Sequence, residues 1–102
     1  MASYSFHPEA LEEYTQSTIH YLQNASARVA EAFASSVESA ISEINIDPTF
    51  RGVVAEPEIR RYVFKRFPYV LYYRWQSDRE FVTIFAIMHC SREPDYWKNR
   101  SL

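Results

Sequence analysis

The stretch from Ile59 to His89, IRRYVFKRFPYVLYYRWQSDREFVTIFAIMH, decides the fold. Its β-branched and aromatic residues fall into three short runs, Ile59 to Phe67, Tyr69 to Gln76 and Glu80 to His89, each of strand length. Phe67-Pro68-Tyr69 marks the first bend, because proline cannot donate to a sheet ladder and is tolerated between strands. Gln76-Ser77-Asp78-Arg79 marks the second, carrying turn-forming serine and aspartate. Connections this short predict antiparallel pairing, so the stretch reads as a three-stranded meander. Alternation puts Arg61 and Lys65 on one face of the first strand, and Arg60 and Arg66 on the other. In the last strand it groups Val82, Ile84, Ala86 and Met88 on one face, and Phe81, Phe85, Ile87 and His89 on the opposite one. Which face meets the rest of the chain is open at this point.

Upstream the period changes from two to that of a helix. Tyr4 to Phe6 suits a short first strand, and His7-Pro8-Glu9 is a helix start, with proline at the first helical position and an acid in the first turn. Leu11, Tyr14, Thr18, Tyr21 and Leu22 then recur at helical spacing as far as Asn24. A second helix is predicted after Ser26, a good N-cap, with the apolar stripe Val29, Phe33, Val37, Ala40, Ile41 and Ile44. Asp47-Pro48 closes it, since the residue before a proline is pushed out of helical geometry. The two helices read as an antiparallel hairpin, and Thr49 to Pro57, holding the sole glycine, Gly52, reads as a connector. The expected fold class is α+β: a short N-terminal strand, an antiparallel helical hairpin, then a three-stranded antiparallel meander. The tail from Ser91 to Leu102 is predicted to form a turn or short helix over a sheet edge.

With 102 residues and 47% hydrophobic content, the chain fits one domain over residues 1–102. Fifteen Phe and Tyr and two Trp supply large apolar area for a core. The one cysteine, Cys90, cannot form an internal disulfide, and no apolar run nears the ~20 residues needed to span a bilayer. These features predict a soluble, cytoplasmic protein with no membrane association. The net charge of −2 conceals an asymmetry: through Glu58 there are nine acidic and two basic residues (−7), and after it nine basic and four acidic (+5). A basic second half suits a polyanion-facing surface, and it equally suits strands flanked by long solvated side chains.

Common catalytic signatures are missing. One glycine excludes a phosphate-cradling loop or a dinucleotide fingerprint, and His7, His20 and His89 have no metal-ligand spacing, so neither a cofactor nor a metal is expected. No nucleophile elbow is present. The segment from His89 to Trp97 is the most suggestive one, placing imidazole, guanidinium and phenol at a strand end. Cleavage within RNA needs a group that activates the 2′-hydroxyl, a cation for the phosphorane and a proton donor to the leaving oxygen. His89, Arg92 and Tyr96 are the candidates for those roles, with Arg61 and Lys65 holding phosphate. The plainer alternative is that His89 caps a strand, Arg92 pairs with Glu93 or Asp95, and Tyr96 and Trp97 pack.

Particular residues, taken in order, resemble the RelE/ParE toxin family of type II toxin–antitoxin systems. They are Phe6-His7-Pro8-Glu9-Ala10 with Glu13-Tyr14, then Arg60-Arg61, then Phe67-Pro68-Tyr69-Val70-Leu71-Tyr72-Tyr73-Arg74. Ile84 to His89 and Arg92-Glu93-Pro94-Asp95-Tyr96-Trp97 complete the set. The resemblance implies a growth-arresting, plasmid-stabilising toxin neutralised by a cognate antitoxin that lays an extended or helical segment over it, as a hetero-oligomer or on a toxin homodimer. It implies one of two targets: DNA gyrase, inhibited without catalysis as by ParE-like members, or mRNA cut on the ribosome as by RelE-like members. Arg61 falls where a RelE-like basic residue sits, and Arg92 and Tyr96 match the C-terminal pair at a shorter spacing. Val63 and Val70 stand where RelE-like members would carry a lysine and an arginine, which inclines the expectation to gyrase. A non-toxic nucleic-acid-binding or interaction module is the third reading, from a different class.

Overall fold

A computed structural model describes residues 3–101. The elements run β1 (Ser3–Phe6), α1 (Pro8–Asn24), α2 (Ala27–Ile46), β2 (Val53–Ala55), β3 (Ile59–Val63), β4 (Tyr69–Gln76) and β5 (Phe81–His89). The five strands form one sheet in the order β1-β5-β4-β3-β2. It is mixed: β1 lies parallel to β5, and every other pairing is antiparallel. The fold is α+β as expected, with the two helices against one face of the sheet.

The helix boundaries follow from their caps. Pro8 opens α1, and the Glu9 amide donates to His7 Nδ1 at 3.1 Å. The Val29 amide donates to Ser26 Oγ at 3.1 Å, which relieves one of the orphan donors at the start of α2. Asp47, before Pro48, ends α2. The α2 stripe is buried as its spacing implies, with Phe33, Val37, Ala40 and Ile44 excluded from solvent. The α1 stripe divides. Tyr14 and Tyr21 pack on Phe33, at 6.1 and 5.2 Å between ring centroids, whereas Leu11 and Leu22 are exposed.

Four sequence expectations change. The connector from Thr49 to Pro57 contains a strand, β2, whose three residues form a short hairpin with β3; Glu58, at φ 58°, makes the left-handed step into β3. A pattern of three residues is too short to announce a strand. The first run ends at Val63 rather than Phe67, because Phe64 turns into the helix-side core and its amide closes the bend on the Tyr69 carbonyl at 3.1 Å. Lys65 therefore leaves the face it was expected to share with Arg61. The tail covers a sheet face as well as an edge: Trp97 packs against Tyr72 and Phe85, at 4.6 and 5.8 Å.

The fourth change is a β-bulge. Tyr72 pairs with Ala86 and Tyr73 with Ile84, so Phe85 is an extra residue in β5. The bulge turns Phe85 and Ala86 to the same face and reverses the alternation beyond them. Val82, Ile84 and Ile87 join the core under the helices, while Phe85, Ala86 and Met88 join Ile59, Val70, Tyr72 and Trp97 on the opposite, open face. The expected grouping of Val82, Ile84, Ala86 and Met88 does not survive this one-residue insertion. Among the described residues no helix is long and apolar enough to cross a membrane.

Candidate functional site

Beside the bulge lies a dense polar cluster. β1 stops opposite Ile84, and beyond that point side chains take the place of a neighbouring strand. The Ile87 amide donates to Glu13 Oε1 at 3.0 Å, and the Phe85 carbonyl accepts from Arg100 Nη1 at 3.0 Å. Glu13 comes from the inner side of α1 and Arg100 from the tail. The two also meet directly, in a forked pair with Nη1–Oε1 at 3.1 Å and Nη2–Oε2 at 2.9 Å. The Tyr96 hydroxyl donates to Glu13 Oε2, and Glu9 adds a second carboxylate 3.6 Å from Arg100 Nε.

Burial and pairing pull against each other here. Burial pushes the Glu13 carboxyl upward, but hydrogen bonds from Arg100, Tyr96 and the Ile87 amide, with the Arg100 charge, outweigh it and hold Glu13 below the ordinary carboxylate value. Burial, the bond to Glu13 and the Glu13 charge push the Tyr96 phenol far upward, with Arg100 opposing only in part. Burial pulls the Arg100 guanidinium downward, but its bond to Glu13 together with the charges of Glu13 and Glu9 and the Tyr96 phenol outweighs burial and raises it. The cluster is thus Glu13 carboxylate, Arg100 guanidinium and neutral Tyr96.

The five residues singled out in the sequence fall in three places. His89 and Arg92 share a cleft along α1 with Glu9, Glu12 and Gln16. His89 Nδ1 accepts from the Ser91 amide at 3.0 Å, and its ring stands edge-on to Tyr69 at 5.1 Å, so His89 does cap its strand. Arg92 lies over the Tyr96 ring at 3.9 Å, and Asp95 pairs with Lys98 at 3.4 Å instead. Tyr96 is half-buried, its hydroxyl turned to Glu13. Arg61 is exposed on the open face beside Val63, near Arg51 and Val53. Lys65 lies in the bend after β3, in a cleft with Ser35 and Ser39 of α2. His89, Arg92 and Tyr96 are neighbours, whereas Arg61 and Lys65 each line another cleft.

Sequence reasoning did not single out Glu13 or Arg100 as site residues. They are 87 positions apart, and no local pattern links a helix glutamate to a tail arginine. The available signal was Glu13 lying one turn after Glu9 on a helix otherwise stabilised by its apolar residues.

On the open face, Val63 of β3 pairs with Val70 of β4, and Arg61 pairs with Tyr72. Val63 is 60% exposed. A surface of this kind, apolar with Arg61 beside it, can hold a partner through contact area and charge. Among the described residues no group of His, Cys, Asp and Glu is arranged to hold a metal ion.

Known proteins with this arrangement identify the family. The family model described as the ParE toxin of the type II toxin–antitoxin system parDE matches residues 4–94. Among solved structures, the chain resembles the chromosomal ParDE TA system from P. aeruginosa, at 16% identity over 87% of this chain and 96% of that one, with a TM-score of 0.72. It resembles the isolated E. coli RelE toxin at 15% identity, over 97% and 95% of the two chains, with a TM-score of 0.65. A third likeness is to the intact E. coli RelBE toxin–antitoxin complex, at 15% identity over 90% of this chain and all of that one, with a TM-score of 0.64. At these identities the structures speak for the fold. No curated protein matches. The family match begins in β1 and runs through both helices and the whole sheet to Pro94, and the chain therefore belongs to the ParE toxin family of type II toxin–antitoxin systems.

Proposed function

We propose that this toxin acts by binding and not by cutting, arresting growth through inhibition of DNA gyrase until a cognate antitoxin neutralises it. The observation that carries the reading is the Val63–Val70 pair on the open face, at the bend between β3 and β4. Two apolar side chains stand where a phosphate-handling site would need cations, and Arg61 is left as the cation beside them to offset charge building on a phosphorane. Tyr96 supports the same view. A phenol pushed far above its ordinary value and already donating to Glu13 is poorly matched to proton transfer near neutral pH.

The antitoxin reading draws on α1. Leu11, Ile19 and Leu22 are exposed along it, and Leu11, Tyr14, Thr15, Thr18 and Ile19 line one shallow apolar groove. Recurrence at helical spacing suits an amphipathic partner helix laid in a groove. We assign this stripe to the antitoxin and the open face, with Arg61, to the target.

The test is supercoiling of relaxed plasmid by purified gyrase with the protein in excess. Inhibition that the antitoxin relieves is the expected result. Normal supercoiling, together with codon-positioned mRNA cuts in a translating extract that vanish in Arg92→Ala and Tyr96→Phe, would replace gyrase with the ribosome. Normal colony formation on induced expression of folded protein would remove the toxin reading altogether and leave a binding module.

A further inference from the structure

The outer side of the helical hairpin carries two features that the fold does not consume, an apolar stripe and a border of free carboxylates. Leu11, Ile19 and Leu22 are 48%, 37% and 54% exposed, and Leu11, Tyr14, Thr15, Thr18 and Ile19 line one groove. From Leu11 to Leu22 the stripe runs about 16 Å, or about three turns of helix. Tyr4 lengthens it across β1: its ring stands edge-on to Phe6 at 6.1 Å, and Phe6 stacks on Tyr14 at 5.9 Å.

The charges around the stripe have one sign. α1 and α2 hold six carboxylates, those of Glu9, Glu12, Glu13, Glu31, Glu38 and Glu43, against the single cation of Arg28. Three of the six have partners: Glu9 and Glu13 face Arg100, and Glu43 accepts from the Tyr62 hydroxyl at 2.6 Å. Glu12, Glu31 and Glu38 are exposed, and among the described residues none of them meets a cation within ion-pair distance. These three stand on both borders of the stripe. Glu12 lies two turns before Ile19, on the same side of α1. On the other border the Tyr14 hydroxyl donates to the Ala34 carbonyl at 3.4 Å, and Glu31 and Glu38 flank Ala34 at i−3 and i+4 along α2. Burial, and after it the Glu38 charge, push the Tyr14 phenol upward.

An apolar stripe between two carboxylate borders rejects some occupants. Two copies of this hairpin would set carboxylate against carboxylate, and a nucleic acid would bring phosphates to the same borders. A helix with an apolar face and a cation on each edge satisfies both features at once. Building on the assignment of this stripe to the antitoxin, we propose that the antitoxin's toxin-binding segment is a basic amphipathic helix. Its apolar face fills the groove, and lysines or arginines on its two edges reach Glu12 on one border and Glu31 and Glu38 on the other. Exposed pairs of this kind are screened by salt, so the complex weakens as ionic strength rises.

The probes are two peptides of about four helical turns with the same leucines at i, i+3, i+4 and i+7, one flanked by lysines and the other by glutamates. Calorimetry in about 50 mM salt leaves exposed charges little screened. The lysine peptide should bind at least about tenfold more tightly than the glutamate peptide. Glu12→Lys/Glu38→Lys, changed only at exposed positions, should invert that preference. Equal binding of the two peptides overturns the basic partner. Lysine-peptide binding that survives Leu11→Ser/Leu22→Ser, which leaves every charge in place, overturns the groove as its seat. The protein that relieves growth arrest should displace the lysine peptide. Neutralisation with the peptide still bound would take the antitoxin off this stripe, a failure of the assignment that is told apart from a failure of the charge pattern.

Discussion

On its helix side the sheet is covered by α1 and α2, through Phe33, Val37 and Ile44 packed on Leu71, Tyr73 and Val82. On its other side Ile59, Tyr72, Phe85 and Met88 are covered by a tail in which, among the described residues, Trp97 is the one buried apolar residue. The first face is held by apolar area spread over many residues. The second is held by one indole and by a polar anchor, Arg100 on Glu13. Distributed contact makes a face tolerant of local change and closed to partners, whereas a cover pinned at one point leaves surface available. The same sheet is thus sealed on one side and, on the reading proposed above, left open to a target on the other.

Truncation at the centre of each cover should separate the two faces. Phe33 is excluded from solvent and contacts Tyr14, Tyr21, Phe67 and Tyr69. Phe33→Ala should cost about 4 kcal/mol in urea unfolding, as for large cavities in cores. Trp97→Ala should cost about 2 kcal/mol, below the usual range, because a surface tail can settle into the space left. Equal losses would mean that the tail is as integral to the core as α2.

Removing the anchor should fall between them. Glu13→Ala leaves Arg100, whose side chain is 6% exposed, without its main counter-charge, and breaking a buried pair in this way costs about 3 kcal/mol. The pH dependence follows from the sign of the shift. The Glu13 carboxyl is held below its ordinary 4.5 when folded, so its contribution is present above pH 4.5 and is lost as pH falls through the lower folded value. Stability curves of wild type and Glu13→Gln should converge below pH 4.5; curves that stay parallel would show that the pair is not anchored as described.

At alkaline pH the buried phenols should respond on both sides, Tyr96 of the anchor most strongly. The Tyr14, Tyr21 and Tyr73 phenols are all raised from 10.0, chiefly by burial. Stability should therefore hold up to about pH 10 and fall above it, as the unfolded chain ionises first. The smallest effect is expected on α1. Leu22 is 54% exposed, so Leu22→Asp should change stability by no more than about 0.5 kcal/mol while weakening antitoxin binding measured by calorimetry. Undiminished binding would move the antitoxin off this helix.

Helix starts and stops were legible because the signals are local: Pro8, Ser26 and Asp47-Pro48 act within a turn of where they stand. The meander was legible from Pro68 and the Ser77-Asp78 turn. The parallel seat of β1 against β5 was not, since nothing in four residues says which strand they will join from 78 positions away. Nor was the bulge, which depends on how β4 and β5 are matched and not on the composition of either. That insertion reversed the alternation after Phe85, turning Ile87, and with it His89, to the helix side. Of the site, Arg92 and Tyr96 were legible as neighbours within a short segment. Their relation to Glu13 arises only when tail and helix meet.

Where β1 ends, half of β5 would otherwise present bare peptide groups along the rim of the sheet. Glu13 receives the Ile87 amide and Arg100 supplies the Phe85 carbonyl, so the rim offers a foreign strand two ionised side chains in place of a ladder to extend. Charged side chains set on an edge are a known protection against strand-to-strand aggregation. For a protein held in complex until its partner is lost, that protection would matter most at the moment of release.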